Sequence, residues 1–200
     1  MDKKFFKTLS FILLNILIVG CSSLPHAPTT TPVISWKQQQ KNIKHFKTWH
    51  VKGKIGFTDG HHGGSASLDW QQQKENFILT LYGPFKIENI LITGKPGNVS
   101  LATSNGIKLT ANTPEEIIQQ QLGWTVPVAG LMYWAKGIPI EGVPIEIIQL
   151  SKGNRLMELQ QQGWNIEYNE YKTFGQLILP SKITLRYKTI KIKLIFKNWA

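Results

Sequence analysis

Few residues in this chain have the types and spacing that chemistry needs. Cys21 is the sole cysteine among 200 residues, and it follows Ile18-Val19-Gly20. A thiolate is a strong nucleophile, so Cys21 is the first candidate for covalent chemistry. A lone cysteine also excludes an intramolecular disulfide framework and a cysteine-based metal cluster. His61-His62 stand together between glycines, with His45 and His50 the nearest others. Adjacent histidines on a hairpin point to opposite faces, so a solvated turn is expected there and no metal. Glu115-Glu116 sit where they complement a helix N-terminus. The chain has no GxxxxGK[ST], GxSxG or HExxH. No catalytic residues and no cofactor are therefore expected.

The residues around Cys21 explain it. Lys3, Lys4 and Lys7 form a basic start, and Leu9–Val19 is apolar except for Ser10 and Asn15. The stretch is too short to span a bilayer, which needs about 20 apolar residues, and reads as a signal peptide. Its end resembles the lipobox of bacterial lipoproteins. That resemblance implies diacylglycerol on the Cys21 thiol, cleavage before Cys21 and acylation of the new amino group. Ser22, in place of Asp, suggests export to the outer membrane. Loss of residues 1–20 lowers the net charge from +11 to +9, leaving 20 basic and 11 acidic residues. Residues 21–33, with three prolines and a run of Ser and Thr, read as a lipidated flexible tether. One domain is expected over 34–200.

The elements that must position any site are mostly strands. Val33–Phe46 predicts a short amphipathic helix with Ser35 as a cap. From Trp49 the period becomes two: Trp49, Val51, Gly53, Ile55 and Phe57 share one face, and His50, Lys52 and Lys54 the other. Asp59-Gly60 signals a hairpin turn. Ala66, Leu68 and Trp70 continue the alternation, followed by strands near 77–82, 87–93, 99–102 and 107–110. Helical spacing appears only after Thr113-Pro114-Glu115-Glu116, ending at Gly123, and over Pro127–Ala135. Strands resume at 155–160, 164–171, 183–187 and 190–196. An antiparallel sheet of ten or eleven strands must curl to bury one face. The expectation is a mainly β fold, an open (incomplete) antiparallel β-barrel with a helical lid enclosing an apolar cavity. Trp70, Leu79, Leu81, Trp124, Trp134 and Trp164 are candidates to line it, although plain core would need the same residues. The four Gln triplets read as uncharged filler at element ends.

The excess of cations invites a nucleic-acid reading. From Lys182 to Lys197, however, the cations alternate with apolar residues at strand period, so they form a solvent face over a core. Anionic lipid headgroups are a better counter-charge than nucleic acid for an exported, lipid-anchored protein, and a solvated face with no partner is the simplest reading of all. Gly83-Pro84-Phe85 interrupts two strongly apolar strands. Phe85 at such a tip either folds back onto the core or touches lipid, with Lys86 beside it to meet headgroups.

Several segments together resemble the outer-membrane lipoprotein receptor family LolB. They are the lipobox at Cys21; Trp70-Gln71-Gln72; Gly83-Pro84-Phe85; Pro96-Gly97-Asn98-Val99; Pro114-Glu115-Glu116; and Gly123 through Val128. The likeness continues through Leu131, Tyr133-Trp134, Gly137 and Pro139, then Gln161 and Gly163-Trp164 with Ile166, Tyr168 and Tyr171, Leu179-Pro180 and Trp199. The resemblance implies an open barrel with a lid and an apolar cavity. It implies an outer-membrane anchored receptor, facing the periplasm and monomeric. Such a receptor takes triacylated lipoproteins from a soluble LolA-like periplasmic carrier and places them in the inner leaflet of the outer membrane, without enzymatic chemistry or ATP. In that family a protruding loop with an apolar tip, usually Leu before Gly, delivers cargo. Here Phe85 takes the Leu position and Lys86 the Gly position. A passive lipid-binding lipoprotein, or less readily a lipid hydrolase, are the alternatives on the same scaffold.

Overall fold

The computed structural model describes residues 35–83, 89–123 and 125–200, all within one compact unit spanning Val33–Ala200. Cys21, Pro84, Phe85 and Trp124 lie outside the described residues. Ser35 begins the described chain as the cap of α1 (Trp36–Lys44): its Oγ accepts the Gln38 backbone N–H at 3.2 Å. Capping matters because the first turn of a helix has no internal acceptors for its amides.

Eleven antiparallel strands follow. They are β1 (Thr48–Thr58), β2 (Gly63–Gln73), β3 (Asn76–Tyr82), β4 (Ile90–Lys95), β5 (Asn98–Thr103), β6 (Lys108–Ala111), β7 (Ile147–Leu150), β8 (Leu156–Gln161), β9 (Trp164–Phe174), β10 (Leu177–Tyr187) and β11 (Ile190–Trp199). They form one sheet in the order β6-β5-β4-β3-β2-β1-β11-β10-β9-β8-β7. Two meanders thus meet where β1 pairs with β11, and the sheet does not close between β6 and β7. Between the meanders lie α2 (Pro114–Leu122) and α3 (Val128–Trp134). The expected open barrel with helices is the observed architecture.

Register shows why the sheet curls. Val51 faces Trp70, Trp70 faces Leu79, Leu79 faces Ile92, Ile92 faces Leu101, and Leu101 faces Leu109. That row continues through Val51 to Trp199 on β11. Every member is apolar, so one face of seven neighbouring strands must leave water together, at about 1.5–3 kcal/mol per large side chain. Gly53 sits at a bulge in the β1–β11 pairing, where a Cβ would stand 2.1 Å from the Ile195 carbonyl oxygen. Only glycine permits that approach.

Two strands differ from the sequence reading. β7 was not legible at all, and β10 starts six residues earlier than its alternation suggests, with Pro180 inside it. The pairing explains the proline. β10 pairs with β11 only from Lys182 to Tyr187, but with β9 all the way to Leu177. Pro180 lies where β10 has lost its β11 neighbour, so its missing N–H removes no bond on that side.

One buried cation bears on stability. Lys136, just past α3, is 7% exposed, and its Nζ donates to the Phe46 carbonyl at 3.3 Å. No carboxylate among the described residues pairs with it. Burial, with a smaller contribution from Lys47, lowers its pKa from 10.5 to about 8. Between those two values the unfolded chain holds a proton that the folded chain releases, so stability rises with pH across that window. Below about 8 both forms are charged and the penalty is constant. Lys136→Met is therefore expected to stabilise the domain by about 1–2 kcal/mol at pH 7, after allowing for the lost bond to Phe46. Urea midpoints at pH 7 and above 10.5 check this, since the difference should vanish at the higher pH.

Candidate apolar interior and its open end

The lid is built from local signals that link to one another. Thr113 Oγ1 accepts the Glu116 amide at 3.3 Å, and Glu116 Oε2 accepts the Asn112 amide at 3.1 Å, a reciprocal cap on α2. Glu115 works elsewhere. Its Oε1 accepts the amides of Val128 at 2.6 Å and Ala129 at 3.3 Å, so it caps α3, whose own N-cap is Pro127. α2 packs against β5 and β6. The adjacent carboxylates thus fasten two successive helices, and neither has an acid/base partner among the described residues.

Two of the four Gln triplets hold a buried, bonded member. Gln161 is fully buried and satisfied on both sides of its amide. Its Oε1 accepts from Trp134 Nε1 at 3.1 Å and from the Ile140 amide at 2.9 Å. Its Nε2 donates to the Ile140 and Val143 carbonyls, each at 3.0 Å. One side chain on β8 therefore ties α3 and the segment after it to the sheet. Gln72, 4% exposed, does a smaller version: it accepts from Trp70 Nε1 at 3.1 Å and donates to the Lys74 carbonyl at 2.8 Å.

The lining candidates fall into two groups. Trp70, Leu79 and Leu81 belong to the inner face of β2 and β3, where Trp70 faces Leu79 and Leu68 faces Leu81. Trp134 and Trp164 lie on α3 and β9, with ring centroids 6.4 Å apart. Trp70 instead meets Trp49 at 4.8 Å, within a cluster that includes Trp199, Phe196, Phe46 and Phe174. No ring contact among the described residues joins the two groups.

Their exposure differs as well. Trp134 is 0% exposed, Trp164 and Trp70 are 4% exposed, and the centre of the β8–β11 half is sealed, with Leu159, Ile166, Ile183 and Leu185 all at 0%, while Tyr171, Phe174, Leu177 and Tyr187 toward the strand ends stay partly open. On the β1–β6 half, Ile55, Phe57, Leu79, Leu81, Ile90 and Leu109 pack on the core yet remain partly open. Alternation placed these residues inward, but only the arrangement of the lid decides which inward residues stay accessible. Ile55, Phe57, Ile90 and Leu109 were therefore missed as lining candidates.

The open half faces one end of the sheet. The β1–β2 turn, the β5–β6 turn, the β10–β11 turn and the residues flanking 84–88 all lie at that end. The Ser104 amide donates to the Asn89 carbonyl at 3.1 Å, fixing the described end of the β3–β4 connection. Gly83, half-buried, ends the other side of it, next to Tyr82 at 44% exposed. In the β1–β2 turn Asp59 Oδ1 accepts the amides of His61 at 2.9 Å and His62 at 2.7 Å. Those two bonds hold its carboxyl below the usual range. The histidines thus belong to an Asp-organised turn.

Comparison with known proteins agrees with this architecture. The family model described as outer membrane lipoprotein LolB matches residues 47–199. A protein named outer-membrane lipoprotein LolB from Francisella tularensis is 35% identical over 198 residues, 98% of this chain and 95% of its own. Another of that name, from Cellvibrio japonicus, is 34% identical over 186 residues, 91% of this chain and 90% of its own. Among solved structures, a LolA superfamily protein from Nitrosomonas europaea aligns over 83% of this chain and 93% of its own, with a TM-score of 0.52 at 8% identity. A DUF1329 family protein from Desulfovibrio piger has the same TM-score at 4% identity, covering 82% and 89%. These two share the fold. With a family model spanning the whole sheet and relatives alike over nearly their full length, the chain belongs to the LolB family of outer-membrane lipoproteins.

Proposed function

We propose that this protein is an outer-membrane receptor that accepts triacylated lipoproteins from a LolA-like soluble carrier and inserts them into the leaflet facing it. The carrying observation is the partly open apolar face of β1–β6, bounded by a half whose centre is sealed and opening toward the end that bears the 83–89 connection. Acyl chains are unbranched apolar ligands, and each buried CH₂ contributes about 0.8 kcal/mol. Transfer down a gradient of apolar burial needs neither nucleophile nor nucleotide, which supports a non-enzymatic reading. Leu79 and Leu81 are the lining candidates we retain as acyl contacts. Trp70, Trp134 and Trp164 shape and support the wall.

The ends of the chain fit the same role. Residues 1–20 serve as the export signal, and 21–33 tether residues 34–200 through lipid on Cys21. One acyl chain binds membranes only marginally, whereas several anchor a protein stably. The relatives' shared designation as outer-membrane lipoproteins supports that location. Gly83, Pro84 and Phe85 form the membrane-insertion loop.

A photo-cross-linking amino acid placed at Leu81, and in a second variant at Leu185, tests the acceptor face. Cargo acyl chains should cross-link to position 81 and not to the sealed position 185. Equal labelling at both, or none at 81, would contradict it.

A further inference from the structure

The outer wall of β1 and β11 is cationic in a way the rest of the sheet is not. Lys54, Lys193 and Lys191 point outward in adjacent rows: Lys54 faces Ile195, Gly56 faces Lys193, and Thr58 faces Lys191. Lys197 continues the line on β11. No carboxylate among the described residues pairs with any of these four. At the margins the same sheet does interleave signs. Lys52 lies 3.4 Å from Asp69, Lys182 lies 3.0 Å from Glu170, and Arg186 lies 3.1 Å from Glu167. Across β10, Lys191 also faces Arg186, so an unbalanced cationic centre sits inside a balanced rim, and such a field attracts external anions.

We infer that this wall docks on a phospholipid surface bearing anionic headgroups, laying the barrel lengthwise on the membrane. The inference rests on the outer-membrane receptor reading above. Three observations favour lipid over an acidic protein. All four central cations are lysines, which act as flexible point charges, whereas protein interfaces favour arginine and aromatic residues and deplete lysine. Their neighbours on β1 and β2 are small (Gly56, Thr58, Ser65 and Ser67), leaving no pocket for a partner side chain. Ile195, 36% exposed, is the one large apolar residue among them, and lysine stems can lie along such a surface while their heads reach phosphate.

The axial layout accommodates such a pose. α1 and the β7–β8 turn lie where β1 begins, linked by Gln39 Nε2 to the Gly153 carbonyl at 3.3 Å. Gly83 and Asn89 lie at the opposite end. The 11 residues of β1 span about 36 Å. The 14 steps from Cys21 to Ser35 can reach about 45 Å when extended. That reach lets an anchor entering where β1 begins and a loop at the opposite end share one membrane with a long side of the barrel against it. The lysine wall is such a side.

The test uses the mature lipidated protein held by its own anchor in vesicles. One set contains phosphatidylglycerol and the other phosphatidylcholine alone. Lysines are acetylated and read individually by mass spectrometry, and cargo transfer is measured in the same vesicles. The account expects Lys54, Lys191, Lys193 and Lys197 to label about fivefold more slowly on the anionic vesicles. Lys95 and Lys152 should be unchanged, and the difference should disappear at 1 M salt, where screening reaches about 3 Å. In the variant with Lys54→Gln, Lys191→Gln and Lys193→Gln, protection of Lys197 should be lost. Equal labelling on both vesicles overturns the wall, and intact cargo transfer alongside it leaves the receptor reading standing. Protection that appears only on adding the soluble carrier overturns it in favour of a protein partner. Protection without cargo transfer upholds the wall and removes the receptor reading.

Discussion

Phe85→Asp is expected to leave folding and cargo acceptance intact while abolishing delivery to the membrane. β3 and β4 are paired up to Leu81 and Ile90, so their register is set by residues other than Phe85. A phenylalanine entering the acyl region gains about 2 kcal/mol, and an aspartate there costs about 2–3 kcal/mol. The difference of about 4 kcal/mol corresponds to a roughly thousandfold loss of the inserted loop. A labelled lipoprotein should then leave its carrier, remain with the variant and fail to float with acceptor vesicles. Wild-type insertion by Phe85→Asp would remove the role given to Phe85. Phe85→Leu should behave as wild type, because apolar burial and not ring chemistry is what the loop supplies.

Gln161→Leu is the substitution expected to cost the fold most. It would leave Trp134 Nε1, the Ile140 amide, the Ile140 carbonyl and the Val143 carbonyl without their partner. Each buried orphan costs about 1–3 kcal/mol, partly recovered where water enters. A loss of about 4 kcal/mol is expected, lowering the melting temperature by roughly 10 °C or more. Gln73→Leu, at an exposed position of another triplet, should change stability by no more than about 0.5 kcal/mol. Calorimetry on the two variants separates a structural glutamine from a solvated one. Because Gln161 ties α3 to β8, its loss should also raise proteolytic sensitivity across residues 138–146 before the rest of the sheet unfolds.

That pair of glutamines shows where sequence reasoning stops. Periodicity reports which face a residue belongs to, and it placed Trp49, Val51, Gly53, Ile55 and Phe57 inward as observed. Cap chemistry is equally local, so Ser35 and Thr113 were readable, as was Gly123 with its positive φ of 75°. Gln161 stands in a motif of the resemblance, but its bonding was not readable, because its partners lie some 20 residues away across the lid. Glu115 likewise looks like a cap for its own helix, yet its carboxylate reaches the next one. β7 escaped notice because all four of its residues are exposed at an edge and three of them are apolar, so it has no buried face to impose alternation. In the candidate interior, the inward direction of Leu79 and Leu81 followed from pattern. Their accessibility, against the complete burial of Trp134, depends on where the lid rests.

The most direct test of the receptor account is transfer itself. The mature lipidated protein in vesicles is mixed with a labelled triacylated lipoprotein bound to its soluble carrier, without nucleotide. The account predicts that the label leaves the carrier and becomes embedded in the vesicle membrane, at a rate set by the amount of this protein present. Label that stays with the carrier, or reaches membranes equally fast without this protein, would contradict it.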